Sequence, residues 1–315
     1  MTKTLLIYNS GGGIGDSIQL FPLILSLENL FKKSEIYYLG AHENHYFGKL
    51  KEYNIKVKTL DLGLKYFGFR WWHFLVAKRN FLKLKLDEVD LILDCQSKFR
   101  NTIILKQIPS KSFYSPTFNT IFCSGLGQPA KEFWSGLKKA DYDIKKISRK
   151  YFDESVRLLP GKNYIGFSLT QGNVYRKKEW PLNKIIKVSE ELVKNNKIPV
   201  FLIEKKNQEL KNKIKDSIPS ALFPEHETSL NSPALVTCLG TRMDLVITID
   251  NGIMHMLSLS KVPMISLFGP TDPLKFAPKY KNSKVLDSKK IYNSKNVSDI
   301  SVEDVLQAAN QFVNF

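Results

Sequence analysis

Cysteine is scarce in this 315-residue chain, and Cys95, Cys123 and Cys238 lie far apart with no Cys-x-x-Cys pair. That pattern argues against a disulfide framework and a cysteine-based zinc site, and it suits a reducing compartment. Long apolar runs are missing too. No stretch reaches the roughly 20 residues that a membrane span needs. The first residues, Met1 to Tyr8, read as a strand entering a glycine loop, too short and wrongly flanked for a secretory signal. Zinc-finger spacings, a basic heptad region and RNA-binding signatures are also absent, so no nucleic-acid partner is expected.

What is present is an ordinary globular composition, 43% hydrophobic and 24% charged, with a large basic excess. Lys+Arg number 47 against 30 Asp+Glu, a formal net charge of +17. The residues up to Ser155 contribute +9 and the remainder +8, so the excess is not a tail. Such a charge favours anionic partners, namely nucleotides, phosphorylated glycans or an acidic membrane surface. A lysine-rich composition that keeps the protein soluble accounts for the same number.

Strand-like and helix-like segments alternate. Thr4–Tyr8, Ile36–Leu39, Val57–Leu60 and Val89–Asp94 read as strands, and Ile18–Phe31 as one helix. After Leu159-Pro160-Gly161 the pattern restarts with strands at Tyr164–Leu169, Ile198–Ile203, Val246–Ile249 and Met264–Phe268, and a helix at Asn183–Lys194. Alternation of this kind predicts an α/β fold with parallel sheets covered on both faces. Lys138–Leu159 reads as a basic, helix-compatible bridge. Ser301-Val302-Glu303-Asp304 starts a last helix with a capping-box-like pattern. The expected domains are 1–158 and 159–297, with 298–315 as a closing helical segment. Leu62–Lys85 interleaves Phe67, Phe69, Trp71, Trp72, Phe74 and Phe81 with Arg70, Lys78 and Arg79. It reads either as an amphipathic segment packing its aromatics on the sheet or as a basic aromatic surface for a glycan or lipid-linked acceptor. Packing is the expectation.

Five polar features follow strands. Val246–Ile249 runs into Asp250-Asn251-Gly252, with His255 three residues later, where a helix starts. Free N–H groups and the positive end of a helix dipole converge at such a turn, which suits an anion. Ser10-Gly11-Gly12-Gly13-Ile14-Gly15-Asp16 follows the first strand but lacks the full Gly-x-Gly-x-x-Gly spacing. Asp16 stands where the third glycine belongs and would repel a pyrophosphate. The loop, with Gly12, Gly13 and Gly15, suits an acceptor hydroxyl with Asp16 as proton acceptor, or a plain helix cap. Thr170 and Lys178, before Trp180-Pro181, offer a hydroxyl and a point charge to phosphate. Glu204 ends an apolar strand where it could hold a ribose, or simply be solvated. Phe268-Gly269-Pro270-Thr271-Asp272-Pro273 is a stiff turn after another strand.

Together, Gly-Gly-x-Gly-Asp, Lys-x-Trp-Pro, Asp-Asn-Gly-x-x-His and Phe-Gly-Pro-Thr-Asp-Pro resemble glycosyltransferase family 9, the ADP-heptose:lipopolysaccharide heptosyltransferases and their relatives. The match runs from Thr4 to about Lys279. The resemblance implies a GT-B architecture of two Rossmann-like domains facing a central cleft, with acceptor on the first and nucleotide-sugar on the second. It implies an inverting transfer with no metal and no cofactor, with Asp16 as general base. Donor contacts fall on Thr170, Lys178, Glu204, Asp250, Asn251, Gly252 and His255. The closing helix is expected to cross back to the first domain. Two departures stand out: Asn251 replaces the usual Thr or Ser, and Leu202-Ile203 replaces the Gly-Gly-Pro ahead of Glu204.

The expected reaction moves a heptose or related sugar from an ADP-sugar to a lipopolysaccharide-core or other surface-glycan acceptor. The expected place is the cytoplasm, with peripheral association on the anionic cytoplasmic face of the inner membrane. Two rival readings are a non-catalytic nucleotide-sugar or glycan-binding protein and a nicotinamide-dependent oxidoreductase. Asp16 disfavours both, and Tyr38-Leu39-Gly40 offers the second no acidic ribose ligand.

Overall fold

The computed structural model describes residues 3–40, 42–116, 137, 140–169 and 178–313. The chain divides into two compact units, Met1–Asp143 and Ile144–Phe315. The break therefore comes before the expected position at 158/159. The physical reason is the helix Arg149–Leu158, which packs on the helix Pro233–Gly240 of the second unit and belongs to it.

In the first unit, β1 (Lys3–Asn9), β2 (Ser34–Gly40), β3 (Lys58–Thr59), β4 (Val89–Asp94) and β5 (Ser110–Tyr114) form a parallel sheet in the order β3-β2-β1-β4-β5. Leu5 to Tyr8 and Leu91 to Asp94 are fully buried, as central parallel strands covered on both faces must be. The expected helix Ile18–Phe31 is two helices, α1 (Ile14–Ile18) and α2 (Phe21–Leu30). Pro22 sits in the first turn of α2, where its missing N–H costs no helical hydrogen bond.

The aromatic segment divides between both readings. In α3 (His73–Leu82), His73, Ala77 and Phe81 recur at helical spacing and are buried, with Phe67 beneath the preceding turn. Trp71, Trp72, Phe74 and Leu75 are exposed, Leu75 at 78%. Packing thus accounts for one face only.

The second unit repeats the plan. β6 (Tyr164–Ser168), β7 (Ile198–Phe201), β8 (Leu245–Ile249), β9 (Met264–Phe268) and β10 (Ser283–Asp287) form a parallel sheet in the order β10-β9-β8-β6-β7. The helix Leu182–Lys194 buries Ile185, Val188 and Leu192 against it. Phe167, Phe201 and Phe223 stack with centroids 5.0 and 5.7 Å apart.

Ser301 and Asp304 form the expected capping box, each side chain accepting the other residue's N–H at 3.0 and 3.1 Å. The helix that follows, Val302–Ala309, packs within the second unit. Val305, Ala308 and Ala309 are buried in the second unit's core with Ile185 and Val188. Trp180 Nε1 and Lys184 Nζ tie the approach to this helix down by donating to the Ile300 carbonyl at 3.0 and 2.9 Å.

Each sheet reverses its strand order beside its first strand, between β1 and β4 and between β6 and β8. Successive connections leave toward opposite sides there and open a crevice at the carboxyl ends of the strands. Next door in the second unit, Gly269 passes close under the turn before Val297. A Cβ at Gly269 would lie 2.6 Å from the Val297 nitrogen and 2.8 Å from the Lys295 carbonyl oxygen. Both obstacles are backbone and cannot swing aside. Gly269→Ala is expected to cost about 1–3 kcal/mol, read as a lower midpoint in chemical denaturation.

Candidate active site

At the second sheet's reversal point Asp250 directly follows β8, and β6 ends in Ser168. Asn251 is the N-cap of the helix Gly252–Ser258, its Oδ1 accepting the Met254 N–H at 2.9 Å. Its Nδ2 donates to Ser168 Oγ at 2.6 Å, so one side chain caps the helix and bridges the two strand ends. An amide can do both because it carries donor and acceptor together. The departure at Asn251 therefore has a structural consequence of its own.

Lys178 reaches the same place. Its ammonium donates to the Asp250 carboxylate and, at 3.3 Å, to the Asp250 carbonyl. Only 13% and 7% of the two side chains are exposed. In a pair so desolvated, each side chain fixes the position of the other. The cation is thus set beside the Gly252 helix start, whose first N–H groups lack intrahelical partners. His255, one turn along that helix, is buried, as is Asp250. Lys178, Asp250, Asn251, Gly252 and His255 therefore gather at one strand-end corner.

Of the remaining expected donor residues the structure describes Glu204. Glu204 follows β7 on the same sheet edge, but its side chain is 58% exposed and pairs with Lys206 at 2.6 Å. Thr170 lies outside the described residues. The turn Phe268–Pro273 is structural where it can be read. Asp272 Oδ1 accepts the Leu274 N–H at 2.9 Å, and Lys289 Nζ donates to the Pro270 and Thr271 carbonyls at 3.1 Å.

On the first unit, Asp16 lies in α1 and accepts the Gly13 N–H through Oδ2 at 2.9 Å. The capping role is thus realised by one oxygen. Oδ1 has no hydrogen bond among the described residues. The loop is pressed against imidazoles: a Cβ at Gly12 would come within 2.5 Å of His42, and His45 Nε2 donates to the Gly12 carbonyl at 3.1 Å. His42 packs edge-on against Tyr66 and Phe69, at 5.3 and 6.2 Å between centroids. Lys98 Nζ and the Arg100 guanidinium sit over Phe69 at 4.5 and 5.9 Å. A pocket of about 460 Å³ opens beside this group, lined by His42, Asn44, Asp61, Lys65 and Tyr66 among others.

Sequence reasoning missed Ser168 as a partner and the His42–Phe69–Lys98–Arg100 group altogether. Ser168 ends a strand facing Asp250 and could have been found by pairing strand ends. Lys98 follows the Asp94 strand end in the same way as Asp16 follows β1. Nothing in the local pattern marks His42. Among the described residues no three His, Cys, Asp or Glu side chains converge as a metal site.

Two parallel α/β units of this kind make up the GT-B architecture, which the chain shares with solved heptosyltransferases. A family model for glycosyltransferase family 9 (heptosyltransferase) matches residues 118–306, more than half of the chain, and the chain belongs to that family. It is 23% identical over 266 residues to lipooligosaccharide heptosyltransferase 2 of Campylobacter jejuni, covering 82% of this chain and 78% of that protein. Its fold is similar to a glycosyl transferase family 9 structure from Veillonella parvula, with TM-score 0.68, 18% identity and coverage of 98% and 97%. It is also similar to the ADP-heptose LPS heptosyltransferase II of E. coli, with TM-score 0.66, 15% identity and coverage of 99% and 98%.

One half-buried acid near Glu204, with its Oε2 shut away from solvent, carries a pH signature. Burial, and then the charge of Glu204, pushes the Glu225 carboxyl from 4.5 up to about 7, and its Oε2 has no hydrogen-bond partner among the described residues. Unfolding returns it to its ordinary value, so this group costs stability as pH rises through the window from 4.5 to about 7. Glu225→Gln is expected to raise Tm by a few degrees at about pH 8, from on the order of 1–3 kcal/mol, with little change near pH 4.5. Differential scanning calorimetry at the two pH values checks it.

Proposed function

We propose that the chain transfers a heptose or related sugar from an ADP-sugar to a lipopolysaccharide-core or other surface-glycan acceptor, inverting the anomeric centre and using no metal. The observation that carries this reading is the Lys178–Asp250 pair set beside the Gly252 helix start. It offers a fixed cation and the N–H groups of a helix start to a diphosphate, which a metal would otherwise have to neutralise. The names of two relatives, a lipooligosaccharide heptosyltransferase and an ADP-heptose LPS heptosyltransferase, support the choice of donor and acceptor.

In the proposed displacement the acceptor hydroxyl oxygen attacks the anomeric carbon from the face opposite the diphosphate. The new C–O bond forms as the bond to the diphosphate oxygen breaks, and that oxygen takes the electron pair. The hydroxyl proton passes to Asp16, whose Oδ2 is already held by the Gly13 N–H. Lys178, the backbone at Gly252 and His255 stabilise the charge that builds on the leaving diphosphate. Second-unit residues thus serve the donor and first-unit residues the acceptor. Glu204 at the β7 end is the ribose contact in this reading, reached after its surface pair with Lys206 opens. Thr170 is kept as a phosphate contact on the resemblance alone.

Asp16→Asn keeps the size of the side chain and removes the proton acceptor. Turnover should fall by about 10²–10⁴-fold with the ADP dissociation constant nearly unchanged. A turnover within a few-fold of wild type would reduce Asp16 to a helix cap. A screen of ADP-, GDP-, UDP- and TDP-sugars by binding and product formation tests the donor, with ADP-heptose expected to lead.

A further inference from the structure

The segment Leu62–Leu86 contains six basic residues and no acidic one. On α3 and the turn before it the buried side is complete: His73, Ala77 and Phe81 face the core. The turn is bolted down from below. Tyr8 Oη donates to the Phe67 carbonyl at 2.8 Å, the Gly68 N–H donates to His73 Nδ1 at 3.1 Å, and Arg100 Nε donates to the Gly68 carbonyl at 3.0 Å. Held this way, the opposite side has no choice but to point outward. It presents Trp71 and Trp72 at 60% and 53% exposure, then Phe74, Leu75 and Leu82, with Lys78 and Arg79 between them.

We propose that this outward face, from Tyr66 to Leu82, seats the protein on an anionic bilayer surface. Large exposed apolar side chains at helical spacing mark an interaction surface. What covers it follows from the mixture. Protein–protein interface cores are depleted of lysine and charge, whereas here cations alternate with the apolar groups. Tryptophan at a headgroup boundary, apolar side chains in the acyl region and Lys/Arg reaching lipid phosphates are the arrangement of an interfacial helix. The charge is complementary as well, since a chain of net charge +17 places an acid-free basic segment there. The face is also continuous with the catalytic loop's surroundings. Arg100 lies over both Trp71 and Phe69, at 6.0 and 5.9 Å, and Phe69 packs on His42, which abuts Gly12. An acceptor carried in the bilayer would arrive at the side of the unit that holds Asp16. The proposal deepens the reading of a lipid-linked acceptor, but its test needs no sugar donor, so the two can fail separately.

The test is co-sedimentation of the full chain with phosphatidylethanolamine vesicles containing phosphatidylglycerol, and with pure phosphatidylcholine vesicles. Wild type should bind the anionic vesicles, release with added salt, and ignore the neutral ones. Lys78→Gln with Arg79→Gln should weaken binding about 30-fold. Trp72→Ser with Leu75→Ser should weaken it at least about tenfold, while Tm stays that of wild type. Lys194→Gln with Lys213→Gln, two charges from exposed helices of the second unit, should change it little. Equal weakening by that second pair would assign binding to bulk charge and overturn the proposal. So would wild-type binding by both patch variants, or no binding by wild type. A dimer that dissociates only on Trp72→Ser with Leu75→Ser, seen by size-exclusion chromatography with light scattering, would assign the face to a second copy instead.

Discussion

The reversal of strand order between β6 and β8 is the constraint on which the Lys178–Asp250–Gly252 corner depends. Parallel strands deliver their carboxyl ends to one edge, and the reversal leaves a gap there that no crossover helix fills. Two side-chain links then define the gap's chemistry. Asn251 joins the helix start to Ser168 across the strand ends, and Asp250 holds the Lys178 ammonium against the turn. Remove either and the corner loses a fixed cation or a fixed helix start. The sheet alone would leave both floating.

The first unit uses the same geometry for the opposite purpose. Its reversal point lies between β1 and β4, and β1 delivers a glycine loop that carries a carboxylate rather than a cation. The Asp16 carboxylate is oriented there by the Gly13 N–H it accepts. His42, against Gly12, packs on Phe69, over which Lys98 and Arg100 sit, so basic groups lie near an acidic loop. One sheet plan thus carries a held carboxylate in one unit and a held cation in the other, the parts proposed to serve as proton acceptor and anion seat. The site residues, and not the fold, separate the two roles.

Legibility followed the physics of each element. Buried central strands such as Val89–Asp94 and Val246–Ile249 announced themselves because parallel strands covered on both faces are almost wholly apolar. The end strands Ser110–Tyr114 and Ser283–Asp287 went unread because their first residues are polar and half-exposed. The split of α1 from α2 was signalled by Pro22 but masked by an apolar periodicity that runs through it. Asp16 and the Asp250–His255 turn were readable because strand, turn and helix start lie within a few consecutive residues. Ser168 joins that turn from 83 residues away, and only the register of β6 with β8 brings it there, whereas Lys178, 72 residues away, was readable as a phosphate contact but not as the partner of Asp250. The aromatic segment was read as packing because periodicity reports that some face is buried, not that the opposite face is apolar too.

The central claim is that the diphosphate of the donor rests at the Lys178–Asp250–Gly252 corner and needs no metal to do so. Calorimetric titration of ADP into wild type and Lys178→Ala, both in excess chelator, measures this directly. Tight binding to wild type in chelator and a loss of about 10–100-fold in the variant is the predicted result, the worth of a charge-assisted phosphate contact. Equal affinity in the two proteins, or binding to wild type that appears only when a divalent cation is restored, would contradict it.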